Sequence, residues 1–150
     1  MTPYDMIKDH LDSAVPFAAH TGVRLLEIGD GTARAELEQR REVSNHIDTM
    51  HAGAMFTLGE AASGAAMAGA LAPVILKMRP VAKDARIAYL KIAQGRLEAE
   101  ARTARPGAEL MEAIRTDGKV AFDVEVAIRD SAGETVTEMT VTWHVSAARE

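Results

Sequence analysis

The chain has 150 residues, of which 47% are hydrophobic and 26% are charged, with a formal net charge of −5. This composition is that of an ordinary globular protein large enough to bury a core, and without a basic stripe it argues against nucleic acid as a partner. The absence of cysteine excludes disulfides, thiolate catalysis and cysteine-bound zinc.

The first residues, Met1 to Asp5, contain no basic segment followed by an apolar run, so they do not form a secretory signal. We therefore expect a cytoplasmic protein, folded as one domain over residues 1–150. The histidines are scattered along the chain, so we predict no metal site.

Three elements are predicted before residue 40. Residues 3–20 are typical of an amphipathic helix, with Met6, Ile7, Leu11 and Val15 on one side and Pro16 ending it. Two strands follow at residues 23–28 and 32–38, joined by a Gly-Asp-Gly hairpin turn.

Residues 52–71 are predicted to form one long central helix. This segment has no proline, consists mostly of alanine, methionine and leucine, and carries a single charge at Glu60. Its length of roughly 30 Å would also span a bilayer, but its glycines, its central glutamate and the amphipathic strands that follow favour a helix buried in a folded domain. Burying a lone carboxylate is costly unless it is paired or hydrogen-bonded, so Glu60 requires an explanation.

The remaining chain is predicted to be mainly strands. Residues 86–92 indicate a strand buried on both faces, and residues 96–102, 119–130 and 134–145 alternate polar and apolar side chains. Residues 106–118 suit either a short helix or a long loop. The simplest architecture is an α+β fold in which one antiparallel sheet curls around the central helix. Because sheet edges stay uncovered, we expect the chain to pair with a second copy.

Two segments carry a resemblance to a known family. They are TMHAGAMFTLGEA at residues 49–61 and YLKIAQGRLEA at residues 89–99. Together with the element order, they resemble the hotdog fold, within it the PaaI-like and 4-hydroxybenzoyl-CoA thioesterase group, and most closely the subgroup described as DUF4442. The resemblance implies an enzyme that hydrolyses acyl-CoA thioesters, with coenzyme A as part of the substrate and no separate cofactor.

The resemblance also implies roles for individual residues. Glu60 takes the position of the family's nucleophile or general base. Ala52 takes that of the backbone N–H that polarises the thioester carbonyl, where the family often has glycine. Asn45 matches a residue that orients the substrate. The candidate substrate-binding positions are Ser63, Gly64 and Thr57.

The chemistry of a helix start points the same way. The first N–H groups of a helix have no internal partner and stabilise an oxyanion, and His51, Ala52 and Gly53 lie where such a donor is expected. Ala52 and Glu60 are about 12 Å apart along the helix axis, so one carbonyl cannot contact both groups of one chain. We therefore predict a homodimer, or a dimer of dimers, with two sites per dimer that each draw on both chains.

Simpler interpretations remain open for the same residues. Glu60 could form a structural ion pair with Arg79 or Arg86. His51 could simply begin the helix, and Asn45 could cap the turn before it. Ser63 and Thr57 suit packing. Two other functions also remain: a non-catalytic acyl-thioester-binding protein, and a hydroxyacyl-thioester dehydratase, whose spacing His46 and Glu60 reproduce. Burial favours a raised pKa for Glu60, while helix termini and hydrogen bonds favour a lowered one, so the direction of the pKa shift stays open.

Overall fold

Alternating strands and one apolar helix produce the predicted α+β architecture. A computed structural model describes residues 1–148. Its six strands form one antiparallel sheet in the order β1-β2-β4-β5-β6-β3, which packs against a single long helix. The elements are α1 (Pro3–Ala14), α2 (Pro16–Thr21), β1 (Arg24–Gly29), β2 (Thr32–Leu37), α3 (Ala52–Ala70), β3 (Met78–Tyr89), β4 (Leu97–Thr103), α4 (Gly107–Asp117), β5 (Lys119–Arg129) and β6 (Thr135–Ala147).

The N-terminal segment forms two helices rather than one. Val15 is extended, with φ −114° and ψ 90°, because the residue before a proline is disfavoured in helical geometry. Pro16 then begins α2, since proline is well suited to a first helical position. No residue of α1 is fully buried, and Met6 is 61% exposed, so the predicted apolar side of this helix is only partly covered.

The central helix α3 is buried along nearly its whole length, as its composition predicts. Its last turns approach the β1–β2 hairpin closely. A Cβ on Gly69 would lie 2.0 Å from the backbone oxygen of Gly29, so glycine is required for this contact. Within residues 1–148, no helix has both the length and the apolarity needed to cross a membrane.

Strands β5 and β6 show the predicted alternation. Val124, Val126, Val141 and Val145 are buried toward the helix, while residues between them are more exposed. Residues 106–118, for which the sequence left two possibilities, contain the helix α4.

The predicted strand at residues 86–92 is the clearest error. The strand begins eight residues earlier, at Met78, and most of its residues are exposed in the single chain. Leu90 and Ile92, which follow it, are 50% and 70% exposed. The physical reason is topological: β3 lies at one end of the sheet, where it pairs only with β6. The central helix packs mainly on β2, β4 and β5, so it leaves the faces of β3 largely uncovered.

Candidate active site

The start of α3 is fixed by His51. The imidazole Nδ1 of His51 accepts a hydrogen bond of 2.8 Å from the backbone N–H of Gly53, and the His51 carbonyl accepts from the N–H groups of Ala54 and Met55. His51 therefore acts as the N-cap of the helix. Three of the first four N–H groups are satisfied in this way.

The remaining N–H belongs to Ala52. Within residues 1–148 it donates no hydrogen bond, and Ala52 is exposed. The sequence placed His51, Ala52 and Gly53 together as candidates, but the structure leaves Ala52 with the free donor while Gly53 is engaged with His51. A free N–H at a helix start carries a positive partial charge that suits a carbonyl or oxyanion.

Asn45 holds the loop that precedes α3. Its side-chain oxygen accepts hydrogen bonds from the N–H groups of Ile47 and Thr49, each 3.0 Å long. Its amide nitrogen donates to the hydroxyl of Thr49 at 2.7 Å. These bonds occupy the side chain within its own loop, so the geometry matches the capping interpretation of Asn45.

Glu60 has no charged partner in the part of the chain that the structure describes. Neither Arg79 nor Arg86 forms an ion pair with it; both arginines are exposed. The Glu60 side chain is half-buried, and desolvation by this burial raises the pKa of its carboxyl above the usual 4.5. A carboxyl with a raised pKa is a stronger base in its ionised form than an ordinary surface glutamate.

The Glu60 side chain lines a cavity of about 220 Å³. This cavity lies between α3 and the N-terminal helices, with Pro80 of β3 and Trp143 of β6 completing its wall. Most of its lining is apolar. Glu60 is therefore a carboxylate placed at the side of an apolar compartment, an arrangement typical of functional carboxylates.

A broader depression of about 920 Å³ lies on the exposed face of the sheet. Its lining includes the exposed and oppositely charged side chains of Arg86, Glu100, Arg102, Glu125 and Glu138. It contains neither Glu60 nor the start of α3. The smaller cavity is the better site because it joins an apolar compartment to a carboxyl with a perturbed pKa.

The three predicted substrate-binding residues have different environments. Gly64 lines the cavity, and a Cβ there would lie 3.2 Å from the Trp143 ring. Ser63 is fully buried behind that wall, where its hydroxyl donates to the Glu60 carbonyl at 2.7 Å and accepts from Trp143 Nε1 at 3.0 Å. Thr57 donates to the Gly53 carbonyl at 2.9 Å and does not line the cavity.

Sequence reasoning missed three contributors to this region. Trp143 lines the cavity, and the Tyr89 hydroxyl donates a 3.0 Å hydrogen bond to the Ala52 carbonyl. Leu11 of α1 reaches the cavity from the N-terminal segment. These contacts join residues far apart in the chain, so no local sequence pattern predicts them.

The model of the family described as "Domain of unknown function (DUF4442)" matches residues 5–145. The chain belongs to the DUF4442 family. This match covers the N-terminal helices, the central helix and nearly all of the sheet. No protein of curated function matches the sequence significantly.

Solved structures confirm that the DUF4442 chain has the hotdog fold. It is similar to a Pseudomonas aeruginosa protein of unknown function described as a probable thioesterase, with 24% identity and a TM-score of 0.83 over 98% of this chain and 97% of that one. A thioesterase family protein from Silicibacter pomeroyi gives 17% identity and a TM-score of 0.78, covering 97% and 99% of the two chains.

A third similar structure contains a ligand. It is a hypothetical thioesterase from Streptococcus pneumoniae crystallised with coenzyme A, with 19% identity and a TM-score of 0.70 over 93% of this chain and 99% of that one. At these identities, the likeness establishes the fold shared with these named thioesterases.

Proposed function

We propose that the DUF4442 chain is an acyl-CoA hydrolase whose catalytic carboxylate is Glu60. The observation that carries this proposal is the placement of Glu60, which lies beside an apolar cavity without an ion-pair partner among residues 1–148. A carboxylate buried for a structural reason is normally paired, because removing an unpaired charge from water is costly. An unpaired one with a raised pKa suits attack on a carbonyl or proton abstraction from water.

The reaction uses two groups. Glu60 either attacks the thioester carbonyl carbon or removes a proton from the water that attacks it, and the Ala52 N–H stabilises the negative charge that develops on the carbonyl oxygen. The carbon–sulfur bond then breaks. The thiolate takes up a proton and leaves as free coenzyme A. If water attacked, the carboxylic acid forms in the same step; if Glu60 attacked, water then hydrolyses the resulting mixed anhydride, which releases the carboxylic acid and regenerates the Glu60 carboxylate.

The ends of strand β3 indicate how two copies bring these groups together. Tyr89 at one end is hydrogen-bonded to Ala52, and Pro80 near the other end lines the Glu60 cavity. The free edge of β3 permits antiparallel pairing with the same strand of a second copy. That pairing sets the Pro80 end of one strand against the Tyr89 end of the other, so that Glu60 faces the partner's helix start.

The charge along this edge favours coenzyme A as the thiol part of the substrate. Lys77, Arg79, Lys83 and Arg86 are exposed, and in the described chain none of them forms an ion pair. Asp84 is the one acidic residue among residues 77–86. Cations concentrated on β3 and just before it, in a protein with net charge −5, suit the phosphates of coenzyme A.

The decisive experiment is complementation between two inactive variants. Glu60→Gln removes the carboxylate. Ala52→Pro removes the free N–H but preserves the helix, because proline is favoured at the first helical position and His51 already has the extended geometry (φ −65°, ψ 139°) that precedes proline. Each variant should release little thiol from a panel of acyl-CoAs.

A mixed dimer would contain one intact site, formed by Glu60 of one chain and the Ala52 N–H of the other. Co-refolding equal amounts should therefore restore about a quarter of wild-type activity if chains assort randomly into closed dimers. A mixture whose activity does not exceed the residual activities of the two variants measured separately would contradict the shared site. Binding of acyl-CoA by the wild type without thiol release would instead identify a non-catalytic binding protein, and enoyl absorbance from a 3-hydroxyacyl-CoA would identify a dehydratase.

A further inference from the structure

The cavity beside Glu60 is apolar apart from two acids. Its larger side chains are Leu11, Val15, Leu25, Met67 and Trp143, and its charged lining residues are Asp12 and Glu60. No lysine or arginine of the described chain lines it. A phosphate group would meet only negative charge there, whereas a hydrocarbon chain would be removed from water by the apolar walls.

The N-terminal helices close one side of this cavity. Leu11 and Asp12 come from α1, and Ala18 and Ala19 come from α2. The Asp12 carboxylate also accepts a 3.1 Å hydrogen bond from the backbone N–H of Leu25 at the start of the sheet. Since no residue of α1 is fully buried, a main structural consequence of this helix is to cover the space next to Glu60.

The opposite wall is kept open by small residues of α3. Ala61, Gly64 and Ala65 line the cavity, and larger side chains at these positions would occupy it. The Trp143 ring is held at the end of this wall by its hydrogen bond to Ser63. Packed side chains therefore bound this space on the side of α1 and α2 and on the side of α3.

We infer that this cavity is the acyl chamber of the proposed hydrolase, that α1 and α2 form its roof, and that it selects medium-length aliphatic acyl groups. An apolar cavity of ~150 Å³ holds a benzene molecule, so ~220 Å³ corresponds to about eight carbon atoms. With the carbonyl at Glu60, a chain of six to eight carbons fills the chamber, and a longer one meets its far wall. The identification of the ligand as an acyl group rests on the proposed function, but binding of apolar molecules in the cavity can be tested without hydrolysis.

Trp143 is the single tryptophan of the chain and lines the cavity, so its fluorescence reports occupancy directly. The probes are unbranched primary alcohols of four to ten carbons, which are neutral and cannot be hydrolysed. Affinity should rise about three- to fourfold for each added CH₂ group, the value expected for burial of a methylene, and should stop rising near eight carbons.

Two variants change the chamber in opposite directions. Ala61→Leu adds three carbon atoms to its wall and should end the rise at about five carbons, whereas Leu11→Ala removes three carbon atoms from the roof and should extend the rise through ten carbons. Ala108→Leu, on the exposed surface of α4, and Met6→Ala, on the exposed side of α1, are matched controls. Both should behave as wild type, with circular dichroism checking that each variant is folded.

Three results would overturn the chamber: no change in Trp143 fluorescence with any alcohol, an affinity that rises unbroken through ten carbons in the wild type, or an Ala61→Leu profile like that of Ala108→Leu. A parallel acyl-CoA panel separates this inference from the proposed function. Hydrolysis without a chain-length optimum, together with no alcohol binding, would support the proposed hydrolase and reject the acyl chamber. A chain-length cutoff in alcohol binding without any thiol release would support an apolar binding chamber and reject the proposed hydrolase.

Discussion

The two groups that the proposed reaction needs lie in opposite kinds of environment. Glu60 lies within a compartment that α1, α2, α3 and the sheet of one chain complete, and its carboxyl is half-buried. Ala52 is exposed at the start of the same helix, beside Tyr89 and the uncovered edge of β3. One chain builds the acid half of the proposed site, and the donor half is exposed in the single chain.

One helix carries both groups, but their separation of about 12 Å along its axis keeps a single carbonyl from contacting both in one chain. Burial adjusts the pKa of Glu60, and exposure leaves the Ala52 N–H without a partner. The following predictions test whether the two halves differ in this way.

The largest effect is expected at the acid half. Glu60→Gln should lower kcat by about 10²- to 10⁴-fold, the usual contribution of a positioned acid or base, because glutamine has similar shape and cannot accept the proton. Thiol release from the best acyl-CoA of the panel measures it. Glu138→Gln, an exposed glutamate on β6, is the control, and equal rates for the two variants would reject Glu60 as the catalytic carboxylate.

A somewhat smaller effect is expected at the donor half. Ala52→Pro should lower kcat by about 10²- to 10³-fold, which is the cost of removing one donor to an oxyanion, while the melting temperature stays within a few degrees of wild type. Ala52→Gly keeps the N–H and serves as the control. A fully active and well-folded Ala52→Pro protein would show that another group stabilises the oxyanion.

A negative charge on the free edge of β3 should weaken pairing between two copies of the chain. Val81 is 44% exposed on β3, and Val81→Glu should weaken self-association about tenfold, or ~1.4 kcal/mol, through like charge and lost apolar contact. Analytical ultracentrifugation gives the association constant, and specific activity should fall on dilution. The control is Thr32→Glu, at an exposed position on the interior strand β2, which should change neither the association constant nor the specific activity. If a monomeric Val81→Glu protein kept its activity on dilution, the site would be complete within one chain.

The Tyr89 hydroxyl should make a modest contribution to the donor half. Tyr89→Phe removes its hydrogen bond to the Ala52 carbonyl, and a neutral hydrogen bond of 0.5–1.5 kcal/mol corresponds to about a two- to tenfold loss of kcat/KM. Steady-state kinetics measures this loss. Tyr4→Phe, in α1, is a control for the loss of a phenolic hydroxyl elsewhere; equal kinetics in both variants would show that the tie to Ala52 is irrelevant to catalysis.

The smallest effect concerns stability and its dependence on pH. Burial raises the pKa of Glu60 above 4.5 in the folded state, so the folded chain holds this proton more tightly than the unfolded chain. Stability due to Glu60 is therefore full below pH 4.5 and is lost as pH rises through the folded-state pKa.

Glu60→Gln should accordingly raise the melting temperature by about 2–4 °C at pH 7, the response of a chain of this size to ~1 kcal/mol, and should give no gain below pH 4.5. Differential scanning calorimetry at the two pH values tests the sign. In the wild-type protein, the proposed hydrolysis should also slow as pH decreases through the same pKa, because the carboxylate becomes protonated. A Glu60→Gln gain that is larger in acid would contradict the burial argument.

The sequence determined much of the architecture because local patterns report directly on local structure. The apolar run at residues 52–71 predicted α3 within one residue of its observed end, and period-two alternation predicted β4, β5 and β6. The single charge in that run marked Glu60 as unusual. The motif at residues 49–61 led to the family that the full comparison confirmed.

Only the tertiary structure decided which candidate residues meet. Asn45 hydrogen-bonds within its own loop, and Ser63 bonds the Glu60 carbonyl and Trp143; the substrate roles that the resemblance implies for them stay predictions. The cavity joins α1 to Trp143 across almost the whole chain. The apolar residues of β3 and the segment after it lie uncovered at a sheet edge. Side-chain periodicity records which face of an element is apolar, but the identity of what covers that face depends on contacts between distant segments, which no local window contains.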